Sequence, residues 1–175
     1  MTDRLRIPSQ FGMETDELRK QETAAVQGRV NRLERGWQVW DQLAWTASTT
    51  DPAIGNGTLA GWYKFDDRWL ELWVEMTAGS TTTFGSGAWI ISGQPVPLDP
   101  VLPQGAMIGQ FGARDSGTAS YAGVVITDST DGQLLPRVLQ YSGANGTVTS
   151  VTSTSPLTWG SGDSFTIWCK FRYRD

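Results

Sequence analysis

The chain has 175 residues, a formal net charge of −4 and no histidine. That length suits one domain with an appendage. The missing imidazole removes Ser-His-Asp and Cys-His catalysis, His-ligated zinc and imidazole acid–base chemistry together. The acidic balance argues against nucleic acid and against an anionic membrane surface as partners.

Residues 1–14 read as an extended N-terminal anchor. Pro8 and Gly12 interrupt any regular element. Leu5, Ile7, Phe11 and Met13 are spaced for an extended peptide that docks onto another protein; the alternative is a frayed terminus. The N-terminus has no apolar core region, so no secretion signal is expected, and no run approaches the ~20 apolar residues of a membrane span.

Residues 15–42 read as an amphipathic helix. Thr15 is a plausible N-cap, and Asp16 and Glu17 fall in the first turn, where the helix dipole favours negative charge. Thr23, Val26, Val30, Leu33, Trp37 and Trp40 recur at alternating steps of three and four. A seam so narrow has another copy of the same helix as its natural partner. Val26, Val30, Leu33, Trp37 and Trp40 are therefore the expected oligomer interface. Gly28 lies outside the seam and costs about 1 kcal/mol relative to Ala. A seam of about three heptads is marginal alone, so the rest of the chain is expected to contribute to assembly.

From Leu43 the apolar period changes to two. Strands are expected at 43–49, 58–65, 68–77, 81–84, 87–92, 106–114, 119–127, 133–141, 147–153 and 164–173. They are separated by turn chemistry such as Asp51-Pro52, Gly55-Asn56-Gly57 and Asp66-Asp67. Many short strands with regular turns point to a mainly β fold: a jelly-roll-like antiparallel β-sandwich over 43–175, preceded by the coiled-coil-like helix. Gly93–Gly105 holds four prolines and reads as a stiff connection crossing between sheets. Thr83-Phe-Gly-Ser-Gly87 and Thr158-Trp-Gly-Ser-Gly162 match at four of five positions, which reads as one turn solution used twice before a core strand. Cys169, the lone cysteine, lies in the pattern Phe165, Ile167, Cys169, Phe171, Tyr173 and reads as a small core residue.

The segment Gly61–Glu75 reads as a hairpin with its turn at Asp66-Asp67, pairing Phe65 with Arg68 and Tyr63 with Leu70. One face then carries Tyr63, Phe65, Leu70, Leu72 and Val74 toward the core. The other carries Trp62, Lys64, Trp69, Glu71, Trp73 and Glu75. On this pairing Lys64 lies opposite Trp69, within reach of a cation–π contact. Three tryptophans interleaved with carboxylates are unusual on a solvated face. The face is expected to meet another subunit, to be covered by the chain's own elements, or to stack on sugar rings. Glu71 and Glu75 would stand roughly 13 Å apart at ~3.3 Å per residue, beyond the ~9.5 Å limit of an inverting glycosidase pair. Asp66-Asp67 and Asp128–Gly132 lack the spacing of a calcium loop, and turn chemistry explains both. No enzyme activity, metal or cofactor is expected.

The stretch Trp45-Thr-Ala-Ser-Thr-Thr-Asp-Pro-Ala-Ile-Gly-Asn-Gly-Thr-Leu-Ala-Gly-Trp-Tyr63, followed by Gly79–Gly87 and Pro95-Val-Pro97, resembles minor tail and tail-fibre proteins of bacteriophages, especially those infecting actinobacteria. The order and spacing fit over residues 45–97, just under a third of the chain. Arg29-Val-Asn-Arg-Leu-Glu34 suits the stalks of that family. The resemblance implies a homotrimeric virion appendage with a β head that adsorbs to the host surface. It implies partners in another virion protein, through the N-terminus, and in host cell-wall glycan, and synthesis in the host cytoplasm. It carries over no catalytic or receptor residues. The family usually places polar residues where this chain has Trp62, Trp69 and Trp73. The alternatives are a capsid head fibre of the same architecture and a carbohydrate-binding module.

Overall fold

A computed structural model describes residues 17–24, 26–27, 36–99, 101–128, 133–142 and 145–173. Residues 17–24 and 26–27 are helical and exposed throughout. Within them Lys20 pairs with Glu17 at 2.9 Å, and the Thr23 hydroxyl donates to the Arg19 carbonyl. Val26 is exposed on this helix. Val30 and Leu33, and the anchor residues Leu5, Ile7 and Phe11, lie outside the described residues.

The rest is antiparallel sheet. The strands are β1 (Gln38–Val39), β2 (Ala44–Ala47), β3 (Thr58–Asp66), β4 (Trp69–Thr77), β5 (Trp89–Ser92), β6 (Met107–Arg114), β7 (Ser120–Asp128), β8 (Gln133–Ser142), β9 (Asn145–Ser150) and β10 (Ser164–Arg172). The order is β1-β3-β4-β10-β6-β7-β8-β5-β2, with β9 also on β8. The hydrogen-bond path is thus one ten-stranded sheet rather than the two facing sheets of a sandwich. The expected strand at 81–84 is reduced to a single bridge from Thr83 to Ala53.

The strand order and one short connection together force this sheet to curl. Strands β1 and β2 sit at opposite ends of the order, yet only residues 40–43 join them. Laid flat, nine strands at ~4.8 Å spacing would separate them by about 38 Å. Five Cα steps reach at most ~18 Å. The sheet therefore rolls until its ends meet, and Trp40 clasps them. Its backbone N–H donates to the Gly61 carbonyl on β3 at 2.8 Å, while its indole N–H donates to the Gly93 carbonyl just after β5.

Two glycines make room for the clasp. A Cβ on Gly61 would lie 2.8 Å from Leu43 and 3.1 Å from the Trp40 ring. At Gly93 the backbone has φ +84°, and a Cβ would collide with the Gln42 carbonyl.

The clasp corrects the expected helix boundary. The helix does not reach residue 42, because Gln38–Val39 pairs with β3 as β1. Trp40 is no seam residue but core, only 3% exposed. Trp37 lies just before β1 beside the outer face of β3, not on a helical stripe. A period of three to four and a period of two coincide over so short a run, and the paired edge of β3 decides between them.

The inside of the curl is the core. Leu70, Leu72, Val74 and Met76 of β4 face Phe165, Ile167, Cys169 and Phe171 of β10. Trp45, Phe84, Trp89, Trp159 and Phe165 form an aromatic cluster with ring centroids 4.7–6.4 Å apart. The repeated five-residue turn explains part of it. Gly87 and Gly162 both take positive φ, and the two copies deliver Phe84 and Trp159 to contact at 6.2 Å. Cys169 is fully buried, and burial pushes its thiol far above the ordinary range. The proline-rich stretch joins β5 to β6 along one end of the sheet, where Leu98 bridges to Tyr173.

Candidate functional site

The β3–β4 hairpin turns one residue later than expected. Its two-residue loop is Asp67-Arg68, and Asp67 takes φ +54°, a conformation Asp tolerates better than most residues. Phe65 pairs with Leu70, Tyr63 with Leu72 and Lys64 with Glu71. Moving the turn by one residue moves the register by two, so each side chain keeps its expected face.

Trp62, Lys64, Trp69, Glu71, Trp73 and Glu75 therefore share the outer face, but two contacts differ from expectation. Lys64 lies opposite Glu71, not Trp69. Its ammonium sits 5.3 Å over the ring of Trp37 instead, a geometry that favours a cation on the indole face. No sequence pattern could announce that contact, since the edge strand β1 creates it.

The outer face also continues across strands far apart in sequence. One rung runs Val39–Trp62–Trp73–Trp168–Gln110–Val124–Arg137–Ser150, through β1, β3, β4, β10, β6, β7, β8 and β9. Trp168 completes a row of three indoles with Trp62 and Trp73. The outward series Thr166, Trp168, Lys170 and Arg172 was visible in the sequence, but the adjacency of β10 to β4 was not.

The charges on this face form a compact network. Glu71 accepts from Lys64 at 3.0 Å and from Lys170 at 2.8 Å, and Lys170 also reaches Asp66 at 2.8 Å. The hydrogen bond from Lys170 holds the Glu71 carboxyl below its ordinary range, and Lys64 adds to this against partial burial. Lys170 likewise lowers Asp66, and the two carboxylates raise Lys170. Carboxylates held ionised are poor proton donors near neutral pH. The network braces three strands. Among the described residues, no cluster of three or more His, Cys, Asp or Glu side chains could hold a metal. No described helix is long and apolar enough to cross a membrane.

Two concave regions flank the network. The first, about 780 Å³, lies over β10, β6 and β7 and is lined mainly by Trp69, Met107, Ile108, Val124, Leu139 and Trp168. Met107 is 70% exposed and Trp168 37%. The second, about 480 Å³, is lined by Trp37, Trp62 and Trp73. The Trp73 indole N–H donates to Glu75 at 2.8 Å and so fixes both side chains at the rim.

No family model, curated protein or solved structure matches this chain. The functional reading therefore rests on its own residues and geometry. Those residues form an antiparallel sheet whose outer face presents several partly exposed indoles, an unusual amount of apolar surface to leave to water.

Proposed function

We propose that this protein is a structural virion component, a homotrimeric bacteriophage tail-fibre or minor tail protein whose β head contacts the host surface and whose function is non-enzymatic. The groove over β10, β6 and β7 carries the assembly part of this reading. Its exposed Met107, Leu139, Trp69 and Trp168 side chains form an apolar depression on an otherwise well-packed sheet, and contiguous exposed apolar surface marks an interaction site. The occupant is another copy of the head.

The helix supports the same reading. Val26 is 60% exposed, so this helix has an apolar seam position that the described residues do not cover. A parallel seam through Val26, Val30 and Leu33 would cover it in a trimer. Because Trp37 and Trp40 belong to the head, that seam is shorter than the full helical pattern suggests, and head contacts carry more of the assembly. The placement on a phage tail rests on the resemblance over residues 45–97.

Light scattering of the full chain tests the assembly. The expected mass is three times 19.2 kDa. Trp168→Asp, which puts a charge into the groove, is expected to shift the mass toward the monomer while the circular dichroism of the sheet persists. A full chain that stays monomeric at tens of micromolar refutes the proposal.

A further inference from the structure

We propose that the cavity between Trp37, Trp62 and Trp73 is a saccharide-binding cleft. In it, indole faces take the CH-rich faces of pyranose rings, and Glu75 and Lys64 take the hydroxyls at the edge. This inference is independent of the trimer, because the cleft lies on β1, β3 and β4, beyond the groove assigned to subunit contact.

Three observations carry it. The first is the shape of the apolar surface. Trp62 and Trp73 are paired residues on adjacent strands, and Trp37 rises beside them just before β1. Three indoles on one outer face line a single open depression, which gives a flat ligand an extended apolar surface. The open depression they line, about 480 Å³, is in the range of ligand pockets and larger than one sugar ring fills.

The second observation is preorganisation. The Trp73 indole is fixed by its hydrogen bond to Glu75. Lys64, itself anchored to Glu71 at 3.0 Å, covers one part of Trp37. Side chains already ordered by such bonds lose little conformational freedom when a ligand arrives.

The third observation is the chemistry of the rim. Glu75 is exposed and takes part in no ion pair among the described residues. One carboxylate oxygen accepts from Trp73, which leaves acceptor capacity for hydroxyl hydrogens. Thr166, also exposed, is its cross-strand neighbour on β10. The Lys64 ammonium has three donors, of which Glu71 takes one. An apolar floor with an acceptor and a donor at its edge complements a pyranose, whose face is apolar and whose rim is hydroxylated. A purely apolar partner would leave Glu75 desolvated and unpaired.

The test uses the full chain with cellotetraose, chitotetraose and maltotetraose as probes and tetramethylammonium chloride as the cation control. Binding is read by calorimetry and by tryptophan fluorescence. At least one tetrasaccharide is expected to bind saturably. Trp73→Leu, which keeps apolar bulk but removes the flat ring, should weaken that binding by about tenfold, and Trp73→Tyr should retain most of it. Trp37→Ala provides the same test at a half-exposed position outside the core, where truncation spares the fold. Binding of tetramethylammonium alone, binding of no tetrasaccharide, or undiminished saccharide binding by both Trp73→Leu and Trp37→Ala overturns the proposal. The oligomer mass, measured separately, shows whether the assembly reading fails on its own.

Discussion

Trp40→Ala tests how the sheet is closed. The indole is 3% exposed, packs beside Gly61 and Leu43, and donates to the Gly93 carbonyl across the seam of the curl. Truncating a buried aromatic to Ala typically costs 3–5 kcal/mol, and the lost hydrogen bond adds about 1 kcal/mol. In a chain of this length each kcal/mol moves the melting temperature by roughly 2–4 °C. The expected drop is therefore about 10 °C or more, with a matching fall in the urea midpoint. Trp40→Phe keeps most of the packing and loses only the indole bond, so it should cost about 1–2 kcal/mol. Both variants are compared with the parent by thermal and urea unfolding at one protomer concentration, since assembly shifts apparent stability. If Trp40 lined a helical seam instead, Trp40→Ala would lower the oligomer mass and leave the stability of the dissociated chain intact. That result, or a melting shift below about 2 °C, would refute the clasp.

The two glycines at the clasp should differ. Gly93→Ala adds a Cβ against the backbone carbonyl of Gln42 at φ +84°, whereas Gly61→Ala meets the flexible end of Leu43 first. Urea unfolding should show the larger loss for Gly93→Ala, by about 1–3 kcal/mol, and equal losses would contradict the geometry. The ion network should give the fold an acid limb. Because Lys170 and Lys64 hold the Glu71 carboxyl below its ordinary value of 4.5, the stabilisation is complete above that value. It is lost as pH falls through the lowered folded value. Melting curves between pH 7 and pH 3 should fall less steeply for Glu71→Gln than for the parent, and an unchanged acid limb would show that the network is not its source.

Much of this fold was legible in the sequence because a half-buried strand writes its period into the chain. Apart from the one expected at 81–84, the strands from 58–66 to 164–172 were expected within a few residues of their observed bounds. The alternation that marked Phe165, Ile167, Cys169 and Phe171 as core also placed Trp62, Glu71 and Trp73 on the opposite face. That assignment survived the late turn at Asp67, since a register change of two preserves parity. The short strand β1 was not legible. Trp37 and Trp40 fit a helical stripe as well as they flank a two-residue strand, and local periodicity cannot rank the two over so few residues.

What the sequence determined by itself was local: strand positions, turn chemistry, the buried thiol and the two faces of the hairpin. Strand order was decided only in the tertiary structure, and with it everything that joins distant segments. That includes the last strand inserted between β4 and β6, Trp168 beside Trp73, Lys170 on Glu71, and Lys64 over Trp37. The reason is physical. Period and turn propensity act over neighbouring residues. The pairing that brings β1 to β3 and rolls β2 round to meet it is chosen by burial of the whole aromatic core at once.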